Sequence, residues 1–472
     1  MTLSPEKQIA ELENRAGERT LQRKLSQRQL TMMVIGSAIG TGLFLGSGLA
    51  IHLGGPATIL AYLFCSGLAL MISWALADMA VVHPDAGSLG IFAGTYLSPW
   101  TGYMVMVSYW ACAVISIGQE IVAASIYCQY WFKGIPQWFW VALFAAILVY
   151  VNSWAVSKFG EFEYWFAMIK VITIVLFIVF SAAVLMGLTR VQSPGLSNYN
   201  SGAGFLPNGW SGLWFSVPFA LVSFIGIELI SITAGEVKDP AQTIRNASRS
   251  IIWRLIIFYV ASIALLLAVV SWRDVGVKVS PFVFVFQAVG FRSAAALMNF
   301  VVLTAALSGA NSTLYAATRM LYSLAHDGLV PAVFQRVSGN GIPVPALMGS
   351  ALGLAVAIVV SVLIPVKAFG LMIAVAYFQI MFVWIAVLIA YMAFRKVHKA
   401  TPGEHSLVKG HPFTTVVAIC ALLAIIITSW WIPNMKPTAI SGFVWMLLAS
   451  GYYFLIRMRL RSGKKMRTAD AS

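Results

Sequence analysis

The stretch Ile35-Gly36-Ser37-Ala38-Ile39-Gly40-Thr41-Gly42-Leu43-Phe44-Leu45-Gly46-Ser47-Gly48 decides how this chain folds. It sits in the first long apolar run, at 30–51, and places five glycines within thirteen residues. Gly36 and Gly40 have the small-xxx-small spacing of a close-packed helix face. Gly40 and Gly42 do not, because residues two apart point to different sides of a helix. Glycine tolerates non-helical dihedrals and lets a ligand approach the backbone. The stretch reads as a helix that unwinds in mid-membrane.

The rest of the chain is built of similar apolar runs. Of its 472 residues 60% are hydrophobic and 10% charged, with a mean hydropathy of +0.85; soluble proteins have roughly 45–50% and 25%. A water-soluble globule, a disordered chain and a secreted disulfide scaffold are excluded. Runs of bilayer length fall at 30–51, 57–80, 101–132, 137–155, 163–188, 211–234, 251–271, 294–325, 345–365, 367–394, 412–432 and 438–457. The expectation is an all-α polytopic membrane protein with 12 transmembrane helices, the third and eighth long enough to tilt. A charged stretch precedes the first run, so no signal peptide is read. Cys65, Cys112, Cys128 and Cys420 lie within apolar segments without metal-ligand spacing and read as packing residues.

The net charge of +15 would suggest nucleic acid in a soluble protein. Here the basic residues collect in short segments between apolar runs, which is a topology signal. With the N-terminus in the cytoplasm, 23 of the 31 Lys and Arg fall inside and 7 outside (Lys133, Arg190, Arg273, Lys278, Arg292, Lys367 and Lys436), leaving Lys170 within a span. Both termini are therefore placed in the cytoplasm. The tail from Met1 to Gln29 mixes acidic and basic residues and reads as a solvated or interfacial helix. Arg457 to Arg467 reads as an anchor beside anionic lipid.

A second interruption occurs in the sixth run, at Ser223-Phe224-Ile225-Gly226-Ile227-Glu228. Gly226 and Gly40 are 186 residues apart, and the same offset carries the third run to 287–318, close to the eighth at 294–325. Spans 1–5 and 6–10 thus read as two repeats, and since five is odd the second is inverted. Inverted repeats that each open with a glycine-interrupted helix point to a secondary transporter with a midplane site. Unwound backbone offers N–H groups to an anion and C=O groups to a cation. An α-amino acid satisfies both.

At these residues the chain resembles the amino acid–polyamine–organocation superfamily, in its bacterial amino acid transporter branch. The resemblance runs from Ile35 to Gly48, through Asp78-Met79-Ala80-Val81 to Pro84 and Gly87-Ser88. It continues with Phe159-Gly160-Glu161-Phe162-Glu163 and Ile169-Lys170-Val171. Ser223 to Glu228, Ala234-Gly235-Glu236, Asp239-Pro240, and Arg319 to Ala325 with Gly328 and Pro331 complete it. Arg245 stands where the branch usually has proline. The resemblance implies a LeuT-type 5+5 inverted repeat plus two C-terminal helices. It implies that backbone N–H groups of Ser37, Ala38, Ile39, Gly40, Thr41 and Gly42 take a substrate carboxylate. Carbonyls of Ile39, Val222 and Ile225 would take the ammonium, with Ser223, Phe224 and Gly226 completing the span-6 side. Related arginine/agmatine exchangers carry tryptophan at the place of Val222, which speaks against an arginine exchanger.

Glu120, Lys170, Glu228 and Asp78 fall at or near membrane depth, where an unpaired charge costs at least about 2.5–3.5 kcal/mol. Lys170 resembles the span-5 lysine that replaces a sodium ion in sodium-independent relatives, and reads as either a proton carrier or a strut between spans 1, 5 and 8. Glu228 either ties the unwound segment to span 2 or 10 or titrates. Glu120 is a proton carrier, a contact for a cationic side chain or a partner of a neighbouring helix. Asp78 reads as a cytoplasmic gate residue. Tyr109, Trp110, Tyr377, Phe378, Phe382 and Trp384 read as bundle packing, and Gln379 as facing the site or a neighbouring backbone.

The expected organisation is a cytoplasmic tail (1–29), a first repeat (30–200), an inverted second repeat (201–396), two further helices (397–457) and a cytoplasmic tail (458–472). The expected function is proton-coupled, sodium-independent import of a neutral amino acid across the cell inner membrane by alternating access. Amino acid exchange without net proton movement and an amino acid-sensing transceptor are the alternatives. The chain is not expected to be an enzyme, since no paired nucleophile and base is visible. The expected partners are the amino acid, protons and membrane lipids; no cofactor, nucleic acid or obligatory protein partner is expected.

Overall fold

The computed structural model describes residues 27–83, 89–154, 159–189, 191–200, 204–232, 234, 240–276, 279–339, 341–398 and 406–469, and every regular element among them is helical. Pro84, Gly87, Ser88, Gly235, Glu236, Asp239 and residues 1–26 of the N-terminal tail lie outside the described residues. The helices are, in order, α1 (Gln27–Ala38), α2 (Ser47–Gly54), α3 (Thr58–Val82), α4 (Leu89–Tyr96), α5 (Pro99–Cys128), α6 (Gln137–Trp154) and α7 (Phe159–Leu185). Then come α8 (Gly209–Val222), α9 (Leu229–Ile232), α10 (Pro240–Val269), α11 (Pro281–Ala288) and α12 (Arg292–His326). The last are α13 (Val344–Ser350), α14 (Leu352–Leu363), α15 (Ala368–Val397), α16 (Phe413–Thr428) and α17 (Lys436–Ala469).

Among the described residues eight helical stretches are long and apolar enough to cross a bilayer, and three shorter apolar helices accompany them. The first stretch, Leu30–Val82, has 53 residues. Straight, it would run about 80 Å against a hydrocarbon core of about 30 Å, so it is long enough for two passes. It bends where Gly55 takes a φ of 57°. α5 and α12, at 30 and 35 residues, are longer than an upright crossing needs. The outer faces are apolar: Leu176 and Val179 of α7, Ile427 of α16 and Phe443 and Leu448 of α17 are at least 60% exposed. Helices of this length and apolarity with such outer faces suit a lipid environment.

Both expected interruptions are present. The first falls at Ile39-Gly40 between α1 and α2, followed by a wider π-helical turn over Gly42–Gly46. A widened turn leaves a carbonyl without its usual partner. Here the Ser280 hydroxyl donates to the Phe44 carbonyl at 2.6 Å. The second interruption is the run of turns at 223–228 between α8 and α9, with Gly226 at a φ of 109°.

α5 lies at the centre, packed against α12, α14 and α15. Its crossing with α14 depends on paired glycines. A Cβ on Gly118 would come within 2.7 Å of the Gly353 carbonyl, and one on Gly353 would overlap the Val114 carbonyl. Overpacked cores lose roughly 1–3 kcal/mol or more. Gly353→Val is therefore expected to lower the melting temperature by several degrees. Gly67→Ala, where an added Cβ meets nothing within 4 Å, is expected to leave it unchanged, as read by thermal unfolding in lipid nanodiscs.

Candidate functional site

The two breaks open on one cavity of about 90 Å³. Ser37, Ala38, Gly40 and Gly42 line it from the first break, and Val222, Ile225, Gly226 and Glu228 from the second. The opposite wall is one face of α5: Tyr109, Cys112, Ala113, Ser116, Gln119 and Glu120, with Thr313 of α12 beside it. Steps of three and four residues put these side chains in one stripe, about 16 Å long at 1.5 Å per residue. That polar stripe in an apolar span was the available sequence signal, and it moves Tyr109 from bundle packing to the cavity wall.

The glycines divide their work. A Cβ on Gly36 would sit 2.5 Å from the Ala167 Cβ of α7, which is close packing. One on Gly40 would sit 3.2 Å from Glu120 Oε1, so Gly40 faces the cavity. One on Gly42 would lie 3.0 Å from both the Val222 carbonyl and Ser223 Cα. Gly42 therefore lets the two broken segments touch backbone to backbone. Gly226 meets Ser37 in the same way, 2.6 Å from its hydroxyl, and its positive φ is open to few other residues.

Two tyrosines hold these segments together, and sequence reasoning missed both. The Tyr259 hydroxyl of α10 lies 2.7 Å from the Ala38 carbonyl and 2.8 Å from the Ser223 carbonyl, sharing its one proton between the two breaks. Tyr62 of α3 reaches the Ser223 hydroxyl at 3.1 Å. The two rings meet edge to face at 6.3 Å. A lone tyrosine in an apolar run carries no periodic signal, so only the fold reveals them.

The buried ionisable groups engage backbone at the breaks. Lys170 Nζ of α7 donates to the Gly36 carbonyl at 2.9 Å. Glu228 accepts from the Gly226 N–H at 3.1 and 3.2 Å, capping the second break rather than reaching across by a direct bond to span 2. Tyr109 is directed at its carboxyl. Glu120 lies against Gly40 on one side and Gly309 of α12 on the other, and Lys170 is within electrostatic reach. Its Oε2 is buried without a hydrogen-bond partner among the described residues. Gln119 donates to the Thr41 hydroxyl at 3.3 Å.

Ile39, Thr41, Ser223 and Phe224 are buried in the packing behind the cavity and do not line it. Asp78 is separate, at the end of α3. It accepts from Tyr391 of α15 at 2.9 Å, from the Ser406 hydroxyl at 2.6 Å and from the Leu407 N–H at 3.0 Å. Gln379 does not line the cavity; with its amide oriented to satisfy both ends, it donates to Val375 and Ala376 of its own helix. Tyr377 is fully buried, and Trp384 of α15, also fully buried, is directed at the Glu228 carboxyl, so Glu228 meets span 10 as well as its own break.

Tyr259→Phe leaves two buried carbonyls without their shared donor, a loss of about 1–3 kcal/mol. It is expected to lower thermal stability more than Tyr62→Phe, which removes one contact to a hydroxyl that has other options; parallel unfolding curves in nanodiscs check this.

Residues 29–465 match the amino acid permease family model. The chain is 37% identical over 445 residues to a probable threonine/serine transporter of Bacillus subtilis (strain 168), covering 94% of this chain and 96% of that protein. It is 35% identical over 447 residues to the gamma-aminobutyric acid permease of the same organism, covering 94% and 95%. It is 37% identical over 435 residues to the aromatic amino acid transport protein AroP of Salmonella typhimurium (strain SL1344), covering 92% and 95%. Broken helices around one cavity, a lipid-facing exterior and these similarities agree: the chain belongs to the amino acid permease family of the amino acid–polyamine–organocation superfamily, and is a multi-pass membrane transport protein rather than an enzyme.

Proposed function

We propose that the protein imports a neutral amino acid across the cell inner membrane by alternating access, coupled to protons and independent of sodium. The reading includes twelve spans, 5+5 inverted repeats with two added helices, the domain limits expected from the sequence, and both termini in the cytoplasm. The observation that carries it is the pair of helix breaks facing one cavity with an unpartnered carboxylate oxygen on Glu120.

The two half-helix starts are not equivalent. Glu228 already occupies the N–H of Gly226 at the second break. The substrate carboxylate therefore goes to the first break, where Gly40 and Gly42 line the cavity and a helix start favours an anion. The ammonium goes to the carbonyl side at Val222 and Ile225. Cys112, Ala113, Ser116, Val222 and Thr313 present uncharged walls to the side chain, which supports a neutral substrate.

An ionised carboxylate with a buried orphan oxygen is costly, and a proton or cation removes that cost. Glu120 is thus a proton site of the cycle, with Lys170 able to hand over or balance the charge. Lys170 also ties α7 to the first break, where an ion would otherwise sit. Asp78 gates the cytoplasmic end through the segment that follows α15.

In proteoliposomes, uptake is expected to need no sodium, to rise with an inward proton gradient and to collapse with a protonophore. Lys170→Met keeps packing volume and removes the charge. It should lose gradient-driven accumulation while retaining exchange. Accumulation with unchanged pH dependence would assign Lys170 to a strut and the proton to Glu120 or Glu228. N-acetylated and carboxyl-amidated forms of the best substrate should each compete at least tenfold more weakly, since each strands buried backbone groups. Equal inhibition by the amide would rule out anion capture at the first break.

A further inference from the structure

Far from the cavity, three polar side chains meet where α3, α4 and α15 end. His83 caps α3, Tyr96 ends α4 and His398 caps α15. The Tyr96 hydroxyl is 2.6 Å from His83 Nε2 and 3.0 Å from His398 Nε2. The two imidazole rings are 5.6 Å apart, and Phe394 packs against all three rings. All three residues are only partly exposed.

The proton count in this chain is restrictive. A phenol has one proton to donate and two lone pairs to accept with. When both imidazoles are neutral, one donates from Nε2 to the phenol and the phenol donates to Nε2 of the other. A first added proton goes to Nδ1 of the donating ring. That keeps both bonds and makes one charge-assisted. A second must go to the accepting Nε2. The phenol then accepts from that N–H on its second lone pair and its own proton loses its partner, while two imidazolium rings stand 5.6 Å apart.

We propose that His83, Tyr96 and His398 form a proton-sensitive latch, which fastens α4 to the ends of α3 and α15 and loosens when a second proton sets two imidazolium cations side by side. Under the topology above it faces the cytoplasm, so it reads cytoplasmic pH independently of the buried carboxylates that serve transport. Among the described residues neighbouring charges do not supply a counter-ion. On α3 Asp78 is already held by Tyr391, Ser406 and Leu407. Among the described residues α15 adds Arg395 and Lys396, residues 406–412 add Lys409 and His411, and α10, packed along α3, adds Arg245, Arg249 and Arg254, all cationic or neutral; Asp85, Lys399, Glu404 and His405 lie outside the described residues. α4 carries no titratable group besides Tyr96, and the first turn of α5 carries only Tyr103. Burial, and then His398, push the His83 imidazole below its usual range. A histidine held low in the folded state stabilises above its ordinary value of about 6.5, and that contribution is lost as pH falls. The sign agrees with a latch that opens in acid.

Hydrogen–deuterium exchange of the full-length protein in lipid nanodiscs, corrected for the intrinsic rate at each pH, reads the latch without transport. Protection of Leu89–Tyr96 is expected to fall at least fivefold between pH 7.5 and 5.5, while that of Pro99–Cys128 stays constant. Tyr96→Phe keeps the ring and loses both bonds, so α4 should exchange fast at both pH values. His398→Gln still accepts from the phenol but takes no proton, so α4 should stay protected at both. A flat profile in the unaltered protein, or a fall with pH that persists in Tyr96→Phe, overturns the latch. Should Tyr96→Phe not fold, the same pH step retained in His398→Gln overturns it.

Discussion

Every backbone N–H and C=O inside a bilayer must find a partner within the protein, because hydrocarbon offers none. This chain breaks two helices there, and the rest of the structure answers that constraint. Side chains from three other helices or their caps supply missing backbone bonds: Tyr259 to Ala38 and Ser223, Ser280 to Phe44 and Lys170 to Gly36, while Tyr62 holds the Ser223 hydroxyl. Glu228 caps the second break from within its own segment. The breaks are thus held in one shape before any substrate arrives, which keeps the ordering cost out of binding.

The same constraint sorts the buried charges. Lys170 and Glu228 are placed against backbone rather than against each other, one on a carbonyl and one on an N–H, so each stabilises a break while being partly neutralised by it. Glu120 has no such duty for its second oxygen. That unsatisfied oxygen is what singles Glu120 out for the proposed coupling role, since perturbed buried carboxyls cluster at functional sites.

How much of this was legible depended on whether a feature had a pattern. The breaks were, because glycines two apart contradict a packing face and because a second Gly and Glu recur 186 residues on. The apolar runs were, because length alone identifies them. Gly42 was legible as a special position but not in its role, since only the fold brings Val222 and Ser223 to within 3.0 Å of its missing Cβ. Tyr259, Tyr62 and the His83–Tyr96–His398 chain were not legible at all. Each joins residues far apart in sequence, and a single polar residue in an apolar run has no period to betray it. Tyr109 was misassigned for the opposite reason: aromatic residues in a bundle are so often packing that its place in the stripe with Ser116 and Glu120 went unweighted.

Substrate identity is hidden by the architecture itself. Three relatives named for threonine and serine, for gamma-aminobutyric acid and for aromatic amino acids share 37%, 35% and 37% of this sequence. Their named substrates differ widely while the similarity barely moves. The physical reason lies in the division of the cavity. On the proposed reading its backbone half takes charged groups that all these substrates carry, and backbone is indifferent to residue identity except where a glycine is required. Its side-chain half is a short stripe of α5 with Thr313 and Val222 opposite. A few substitutions there reshape a cavity of about 90 Å³ while leaving more than 400 other positions untouched. On the proposed reading, discrimination resides where overall identity is least sensitive, in wall residues such as Cys112, Ser116 and Thr313.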